Sequence, residues 1–99
     1  MFAMFDLPVY DKEDKKEYVK FRKLLLKQGF DMFQFSVYGR FCESEEVADK
    51  FRRHIKRHLP PKGEVRLLAV TDKQFGKMQV FRGKKRRDVE PEPQLSLFF

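Results

Sequence analysis

Residues 14–28 repeat their apolar side chains with the period of an amphipathic helix, and this pattern constrains the fold more than any other feature of the chain. The repeating residues are Tyr18, Phe21, Leu24 and Leu25. They share one helix face, whereas lysines occupy the opposite side. Asp11 or Asp14 can cap the start of the helix, and Gly29 stands where a left-handed helix end is favoured. The pattern therefore predicts a helix whose apolar side faces a core.

The rest of the chain predicts strands and one further helix. Strands are predicted over residues 2–5, 31–41, 65–71 and 77–82, and a second helix begins at Ser44 and ends before Pro60. The first strand ends at Asp6 because Pro8 has no backbone N–H to donate. All connections are short. We interpret the order as βαββαβ, an α+β ferredoxin-like sandwich with two helices on one face of a four-stranded antiparallel sheet.

The second face of this predicted sheet has no helix to cover it. We expect it to carry Met32, Tyr38, Leu68, Val70 and either Met4 or Phe5. An uncovered apolar face of this size usually marks an interface. Two copies related by a two-fold axis could bury it against each other, so the sequence predicts a homodimer.

Size, composition and charge exclude several classes of protein. With 99 residues the chain has room for one domain, and its single cysteine, Cys42, excludes an internal disulfide and a cysteine-based zinc site. It shows neither a signal peptide nor an apolar run long enough to span a membrane, so we expect a cytoplasmic protein. Residues 1–49 carry a net charge of −2 and residues 50–99 a net charge of +9. This asymmetry favours a polyanionic partner, with a solvated basic face as the plainer alternative.

Basic residues of the second helix and of two later segments are the candidate phosphate contacts. They are Lys50, Arg52, Arg53, Lys56, Arg57, Lys62, Lys84, Lys85, Arg86 and Arg87. No aromatic signature for reading single strands accompanies them. We therefore expect binding to a nucleic-acid backbone that is independent of sequence and sensitive to salt.

His54 and His58 are four residues apart, which is the spacing of paired zinc ligands on a helix. Arginine and lysine side chains surround them, and no glutamate follows the first histidine. Crowded cations disfavour a divalent metal, so a surface facing phosphate is the preferred interpretation.

The last residues change character twice. Residues 84–93 form a basic run followed by an acidic, proline-bearing linker, and residues 94–99 alternate like a strand. A lone terminal strand must pair with a sheet edge. We expect a docking strand rather than a frayed tail, with Leu95, Leu97, Phe98 and Phe99 as the partner-binding residues.

Several strings of the sequence together resemble the CRISPR-associated protein 2 family. They are Met4-Phe5-Asp6-Leu7-Pro8, Phe21-Arg22-Lys23-Leu24-Leu25, Gln28-Gly29-Phe30, Gln34-Phe35-Ser36-Val37-Tyr38, Pro61-Lys62-Gly63 and Leu67-Leu68-Ala69-Val70-Thr71-Asp72-Lys73-Gln74-Phe75. The resemblance extends from residue 2 to about residue 83. It implies a ferredoxin-like homodimer whose terminal strand joins the partner's sheet. It also implies a role in spacer acquisition, in which the dimer binds duplex DNA and bridges dimers of the integrase subunit, CRISPR-associated protein 1.

The same resemblance implies a metal-dependent endonuclease acting on RNA or double-stranded DNA. The family's proposed catalytic carboxylate lies at the tip of the first strand, which here is Asp6. Two copies of Asp6 near a dimer axis could hold one Mg²⁺, because this ion needs only one or two carboxylates beside phosphate oxygens and water. The structural alternative is that Asp6 only terminates the strand, and no general base is identified. A stand-alone, toxin-like ribonuclease of the same fold is the alternative function.

Overall fold

A computed structural model of the chain describes residues 1–83, and the candidate residues between 84 and 99 lie outside that part. Its elements are β1 (Phe2–Asp6), α1 (Lys12–Lys27), β2 (Asp31–Gln34), β3 (Val37–Gly39), α2 (Glu45–Arg57), β4 (Glu64–Leu68) and α3 (Asp72–Gly76). The βαββαβ order is followed by the short helix α3. The four strands form an antiparallel sheet in the order β2-β3-β1-β4. The ferredoxin-like α+β fold is confirmed.

Local signals in the sequence set the ends of α1 and α2. Asp11 caps α1 by accepting a hydrogen bond from the backbone N–H of Asp14 at 2.8 Å, and Ser44 caps α2 by accepting from that of Val47 at 3.2 Å. Gly29, with φ +87°, lies in the left-handed conformation just after α1, as predicted. These caps satisfy backbone groups that the helices leave without an internal partner.

The core lies between the sheet and the two long helices. Phe5 of β1 packs edge-on against Phe21 of α1, with ring centroids 5.3 Å apart. Leu25 of α1 and Ile55 of α2 are fully buried in the same cluster. Both helices therefore cover the same face of the sheet, and α1 uses the apolar face that the sequence pattern predicts.

The long strand predicted over residues 31–41 is wrong, because the chain reverses there into the β2–β3 hairpin. The turn lies at Phe35 and Ser36, and Ser36 adopts a left-handed backbone with φ +59°. A register shift between Met32 and Gln34 also interrupts the pairing of the two strands. The hairpin supplies the two consecutive strands that the βαββαβ order requires, in place of the one strand whose bounds were predicted there.

The same reversal changes which side chains face the helices. Tyr38 is 1% exposed on the helix-covered face, where its ring lies 5.6 Å from that of Phe5 and its hydroxyl accepts a hydrogen bond from Nε of Arg22 at 2.9 Å. Met32 pairs with Tyr38 and shares its side of the sheet. The expectation that Tyr38 and Met32 lie on the uncovered face is therefore wrong.

The strands predicted in the second half are also shorter or absent. β4 ends at Leu68, and Val70 lies beyond it. Thr71 caps α3 through a reciprocal pair of hydrogen bonds with Gln74, at 2.9 and 3.1 Å. Residues 77–82 form no strand. The Thr-x-x-Gln string is the sequence signature of this helix start, and it takes precedence over the strand-forming residues before it.

The second sheet face is partly covered from within the chain. The rings of Phe2, Phe33 and Phe75 form a cluster with centroids 5.4–6.1 Å apart, which places α3 against this face. Strand pairing puts Met4 and Leu68 on the same side as Phe2, and Leu68 is 51% exposed. An exposed apolar area remains there, with Leu68 and Met4 on it as predicted and without Tyr38 and Met32.

The start of β1 is held against the end of the hairpin. The amino group of Met1 donates a hydrogen bond to the carbonyl of Arg40 at 2.7 Å, and the backbone N–H of Arg40 donates to the carbonyl of Met1 at 2.9 Å. Burial lowers the pKa of this amino group, because an apolar environment disfavours its charged form.

Candidate functional site

Asp6 lies at the C-terminal tip of β1, with an exposed side chain. Leu7, the next residue, is buried, and Pro8 follows it, so the backbone leaves the sheet just after the carboxylate. Within residues 1–83 the Asp6 carboxylate has no hydrogen-bond or ion-pair partner. The strand tip thus presents an uncompensated carboxylate to solvent.

A second carboxylate lies next to Asp6 on the neighbouring strand β4. Glu64 pairs with Asp6 in the β1–β4 register, so their side chains leave the same face of the sheet. The Glu64 carboxylate already has a cation, because Nη1 of Arg66 lies 3.0 Å from its Oε2. The position of Glu64 beside Asp6 is not evident from the sequence, because the pairing joins residues far apart in the chain.

Gly63 holds the loop before β4 against the strand tip. It adopts φ +88°, and a Cβ built on it would overlap the carbonyl oxygen of Asp6 and lie 2.8 Å from Cδ2 of Leu7. Only glycine fits this approach without a shift of the backbone. The close packing fixes the position of Asp6 relative to β4.

The donor set at the strand tip suits a hard cation that keeps most of its water. Asp6 offers one free carboxylate, and no group of three or more potential ligands among His, Cys, Asp and Glu occurs in residues 1–83. Mg²⁺ binds through one or two carboxylates together with phosphate oxygens and water. Asp6 fits such an ion, whereas a structural site enclosed by protein ligands is not present in the described chain.

Lys62 interacts with the first turn of α1. Its Nζ lies 3.5 Å from Oδ1 of Asp14, and Asp14 is 8% exposed. Leu7, Pro8 and Pro61 line a small cavity of about 70 Å³ beside this pair. Lys62 therefore neutralises a buried carboxylate, which competes with its predicted contact to phosphate.

The predicted cations of α2 divide into two groups. Lys50, Arg53 and Arg57 line one surface hollow of about 220 Å³, and neither they nor Lys56 makes an ion pair within residues 1–83. Arg52 instead pairs with Asp49 and lies 3.7 Å from Glu45. Four of the six cations predicted from residues 50–62 thus remain available for a partner.

His54 and His58 stack with ring centroids 4.6 Å apart on α2. Nδ1 of His58 lies 2.8 Å from the carbonyl oxygen of His54, and Nε2 of His54 is buried without a hydrogen-bond partner in the described chain. The pair is not joined by a third ligand in residues 1–83. The preference for a surface facing phosphate over a zinc site stays a prediction.

Two further observations concern the remaining predictions. The phosphate contacts predicted at Lys84, Lys85, Arg86 and Arg87, the linker over residues 84–93, and the docking residues Leu95, Leu97, Phe98 and Phe99 lie outside the described residues. Among residues 1–83, no helix is both long and apolar enough to cross a membrane.

Comparison with known proteins gives a consistent result over nearly the whole chain. The family model for CRISPR associated protein Cas2 matches residues 1–78. Three similar proteins are each named CRISPR-associated endoribonuclease Cas2. The one from Flavobacterium psychrophilum is 44% identical over 99 residues, which cover 99% of this chain and 86% of the relative. The one from Parvibaculum lavamentivorans is 46% identical over 99 residues, covering 99% and 98%. The one from Ligilactobacillus salivarius is 44% identical over 89 residues, covering 90% and 88%. With this match and the ferredoxin-like fold, the chain belongs to the family of CRISPR associated protein Cas2.

Proposed function

We propose that this protein is a homodimeric subunit of the spacer-acquisition complex in the cytoplasm. In this role it binds duplex DNA and bridges dimers of the CRISPR-associated integrase subunit. The observation that carries the proposal is the convergence of Lys50, Arg53 and Arg57 on one surface of α2, without ion pairs in the described chain. Cations left without acidic partners repel one another, and a polyanion removes that repulsion.

The chemistry of this surface favours the DNA backbone over the bases. Its side chains are flexible and cationic, and they can follow phosphates whatever the sequence. A subunit that captures spacers must accept arbitrary sequence, so binding through phosphates matches the proposed role. Such binding weakens steeply as salt increases, because each phosphate contact releases condensed counterions.

The homodimer is supported by the apolar area on the second sheet face. Leu68 lies on this face and is about half exposed, and Met4 shares its side of the sheet. Contact between two such faces would bury these side chains from water. A two-fold axis would present the same surface to both copies.

The test of DNA binding is a salt titration with matched arginine variants. Arg53→Gln with Arg57→Gln should weaken binding of a mixed-sequence duplex and lower the slope of log K against log salt by about 1.8, from about 0.9 per contact. The matched control is Arg52→Gln with Arg66→Gln, which removes the same charge from two arginines that already have acidic partners. An unchanged slope in the first variant would contradict the assignment of DNA binding to α2.

The bridging role is tested with the integrase subunit itself. We expect the full chain to retain that subunit in a pull-down, and a chain lacking residues 94–99 to lose it while keeping its duplex affinity. Retention of the integrase at full strength by the truncated chain would contradict the docking role of Leu95, Leu97, Phe98 and Phe99. If the full chain itself retains no integrase subunit, the bridging role is wrong and the stand-alone ribonuclease is favoured.

A second candidate function, metal-dependent endonuclease, is favoured by the free carboxylate of Asp6 and by the printed name of the relatives. Asp6 would hold Mg²⁺ at the strand tip, and the ion would neutralise a phosphodiester and acidify a bound water. The chain itself positions the Asp6 carboxylate. Gly63 fixes the strand tip through its close contact with the Asp6 backbone, and Arg66 forms an ion pair with the neighbouring carboxylate of Glu64. In the dimer, the two copies of Asp6 would lie near the two-fold axis.

The nuclease proposal is tested by cleavage of RNA and of duplex DNA with and without Mg²⁺. We expect cleavage to require the metal and to be lost in Asp6→Asn, which preserves shape and removes charge. Cleavage that continues unchanged in Asp6→Asn would exclude Asp6 as the catalytic carboxylate.

A further inference from the structure

A groove between α1 and α2 carries a second set of unpaired cations. It has a volume of about 370 Å³, and the exposed side chains of Lys20, Lys23 and Lys27 line it from α1. Arg57 lines it from the end of α2. Arg57 also lines the hollow shared with Lys50 and Arg53, so the groove and the α2 surface adjoin at this side chain.

The three lysines belong to a stripe that runs along the whole of α1. Residues at spacings of three and four share a helix face. The stripe consists of Lys12, Lys16, Lys20, Lys23 and Lys27, all of them exposed. At 1.5 Å per residue it extends over about 22 Å, with an ammonium group every 4.5–6 Å or so. The negative net charge of residues 1–49 conceals this stripe, because 10 acidic residues outnumber 8 basic ones there.

The charge balance inside the groove is strongly positive. Glu17 is the one acid among its lining residues in the described chain, against three lysines and Arg57. None of these four cations makes an ion pair within residues 1–83. Three other cations of the described chain, Arg52, Lys62 and Arg66, do have acidic partners. The groove therefore lacks the internal compensation that a purely structural surface would gain from nearby acids.

The shape of the groove also limits what it can accept. Its apolar lining comes from the buried ring of Phe21 and from Leu24, Leu59 and Pro60, and it lies beside the four cations. Among the described lining residues His58 is the one exposed aromatic ring, and the Phe21 ring is buried, so the groove offers no row of rings for stacking on successive bases. This combination favours a phosphodiester backbone over unstacked bases.

We propose that the α1–α2 groove binds the phosphate backbone of duplex DNA through Lys20, Lys23, Lys27 and Arg57. The groove extends the cationic surface of α2 toward α1, and we call the two together the track. The inference rests on the proposed DNA-binding function and adds to it a second row of contacts, contributed by the acidic half of the chain. Along this track each lysine lies within reach of a different phosphate, because a duplex strand offers one about every 3.4 Å along its axis.

The experiment is a salt titration of duplex binding with a triple variant, Lys20→Gln, Lys23→Gln and Lys27→Gln. The matched control is Lys15→Gln, Lys73→Gln and Lys77→Gln, which removes the same charge from exposed lysines outside the groove. We expect the triple variant to bind a mixed-sequence duplex at least about tenfold more weakly at 0.1 M salt and to lower the salt slope by about 2.7. The control should change the salt slope by less than the value of about 0.9 that corresponds to one phosphate contact.

Thermal unfolding separates binding from a structural role. Because like charges at spacings of three and four repel, the triple variant should keep or raise its Tm while it loses affinity. A drop in both affinity and Tm would instead assign the lysines to folding and overturn the proposal.

The remaining outcomes each decide a different point. If the triple variant binds like the unchanged protein while the Arg53 and Arg57 variant is weakened, the groove proposal is wrong and the α2 site stands. Equal losses in the triple variant and its control would show dependence on net charge alone, which also overturns the groove. A loss confined to single-stranded RNA of the same length would overturn the assignment to duplex DNA. If the unchanged protein binds no duplex, the proposed function and the groove fail together.

Discussion

Gly63 lies so close to Asp6 that a methyl group in its place would overlap the carbonyl oxygen of Asp6. The contact joins the loop before β4 to the tip of β1, and the positive φ of Gly63 makes it possible. A backbone contact thus holds the candidate catalytic carboxylate beside Glu64, its neighbour across the two strands. The geometry of the strand tip depends on a residue without a side chain.

Replacing Gly63 with alanine should therefore destabilise the fold. The left-handed backbone alone costs a residue with a Cβ about 1–3 kcal/mol, and the overlap with Asp6 adds to it. The control is Gly76→Ala in α3, where no atom lies within 4 Å of the new Cβ. That change should be neutral or stabilising by up to about 1 kcal/mol. Urea unfolding of both variants tests the difference, and equal stabilities would contradict the contact.

The Asp14–Lys62 pair should contribute to stability and little to DNA binding. Lys62→Met leaves the buried carboxylate without its cation, and we expect a loss of about 1 kcal/mol, since the exposed lysine is screened by solvent. A double-mutant cycle with Asp14→Asn isolates the interaction between the two side chains. Duplex affinity should keep its salt slope in Lys62→Met. A slope lower by about 0.9 would show that Lys62 contacts phosphate after all.

The opposite faces of the sheet should respond differently to an inserted charge. Leu68→Lys changes a half-exposed residue of the second face, so the fold should persist while the proposed dimer dissociates. Tyr38→Asp buries a carboxylate against Phe5 in the core, and we expect a loss on the order of 4 kcal/mol. Light scattering measures the first effect and circular dichroism the second. A Leu68→Lys protein that stays dimeric would place the interface elsewhere.

The sequence predicts those parts of this fold that depend on neighbours along the chain. Helix α1 follows from its own apolar repeat, and Asp11, Ser44 and Gly29 mark helix ends through local hydrogen bonds and backbone preference. The β2–β3 turn does not follow, because Phe35-Ser36 lacks the glycine or asparagine that usually signals a two-residue hairpin turn, and the reversal makes a contact with the distant strand β1. The backbone N–H of Phe5 donates to the carbonyl of Ser36 at 3.0 Å, a contact between residues 31 positions apart.

The candidate site shows the same division. The position of Asp6 at a strand tip is predictable from Pro8, and the cations of α2 are evident from the sequence. Glu64, by contrast, reaches Asp6 only through strand register, and Lys62 reaches Asp14 only through the packing of a distant loop. The lysine stripe of α1 repeats at spacings of three and four residues, but net charge summed over half the chain conceals it.

Asp6→Asn should raise stability slightly even though it removes the proposed catalytic group. Asp6 and Glu64 are like charges directly opposite each other in neighbouring strands, an arrangement that destabilises a sheet by roughly 0.2–1 kcal/mol. Arg66 offsets part of that repulsion through its ion pair with Glu64, so the gain should fall near the lower end of that range. The matched variant is Glu64→Gln, which removes the other carboxylate and should leave Mg²⁺-dependent cleavage in place.

Denaturant unfolding and cleavage assays on both variants test the two roles of the Asp6 carboxylate, in stability and in cleavage, independently. A clear loss of stability in Asp6→Asn would mean that the carboxylate serves to terminate β1 and order the turn at Leu7 and Pro8. Retained or increased stability together with lost cleavage would mean that its charge is kept for chemistry at the cost of repulsion within the sheet.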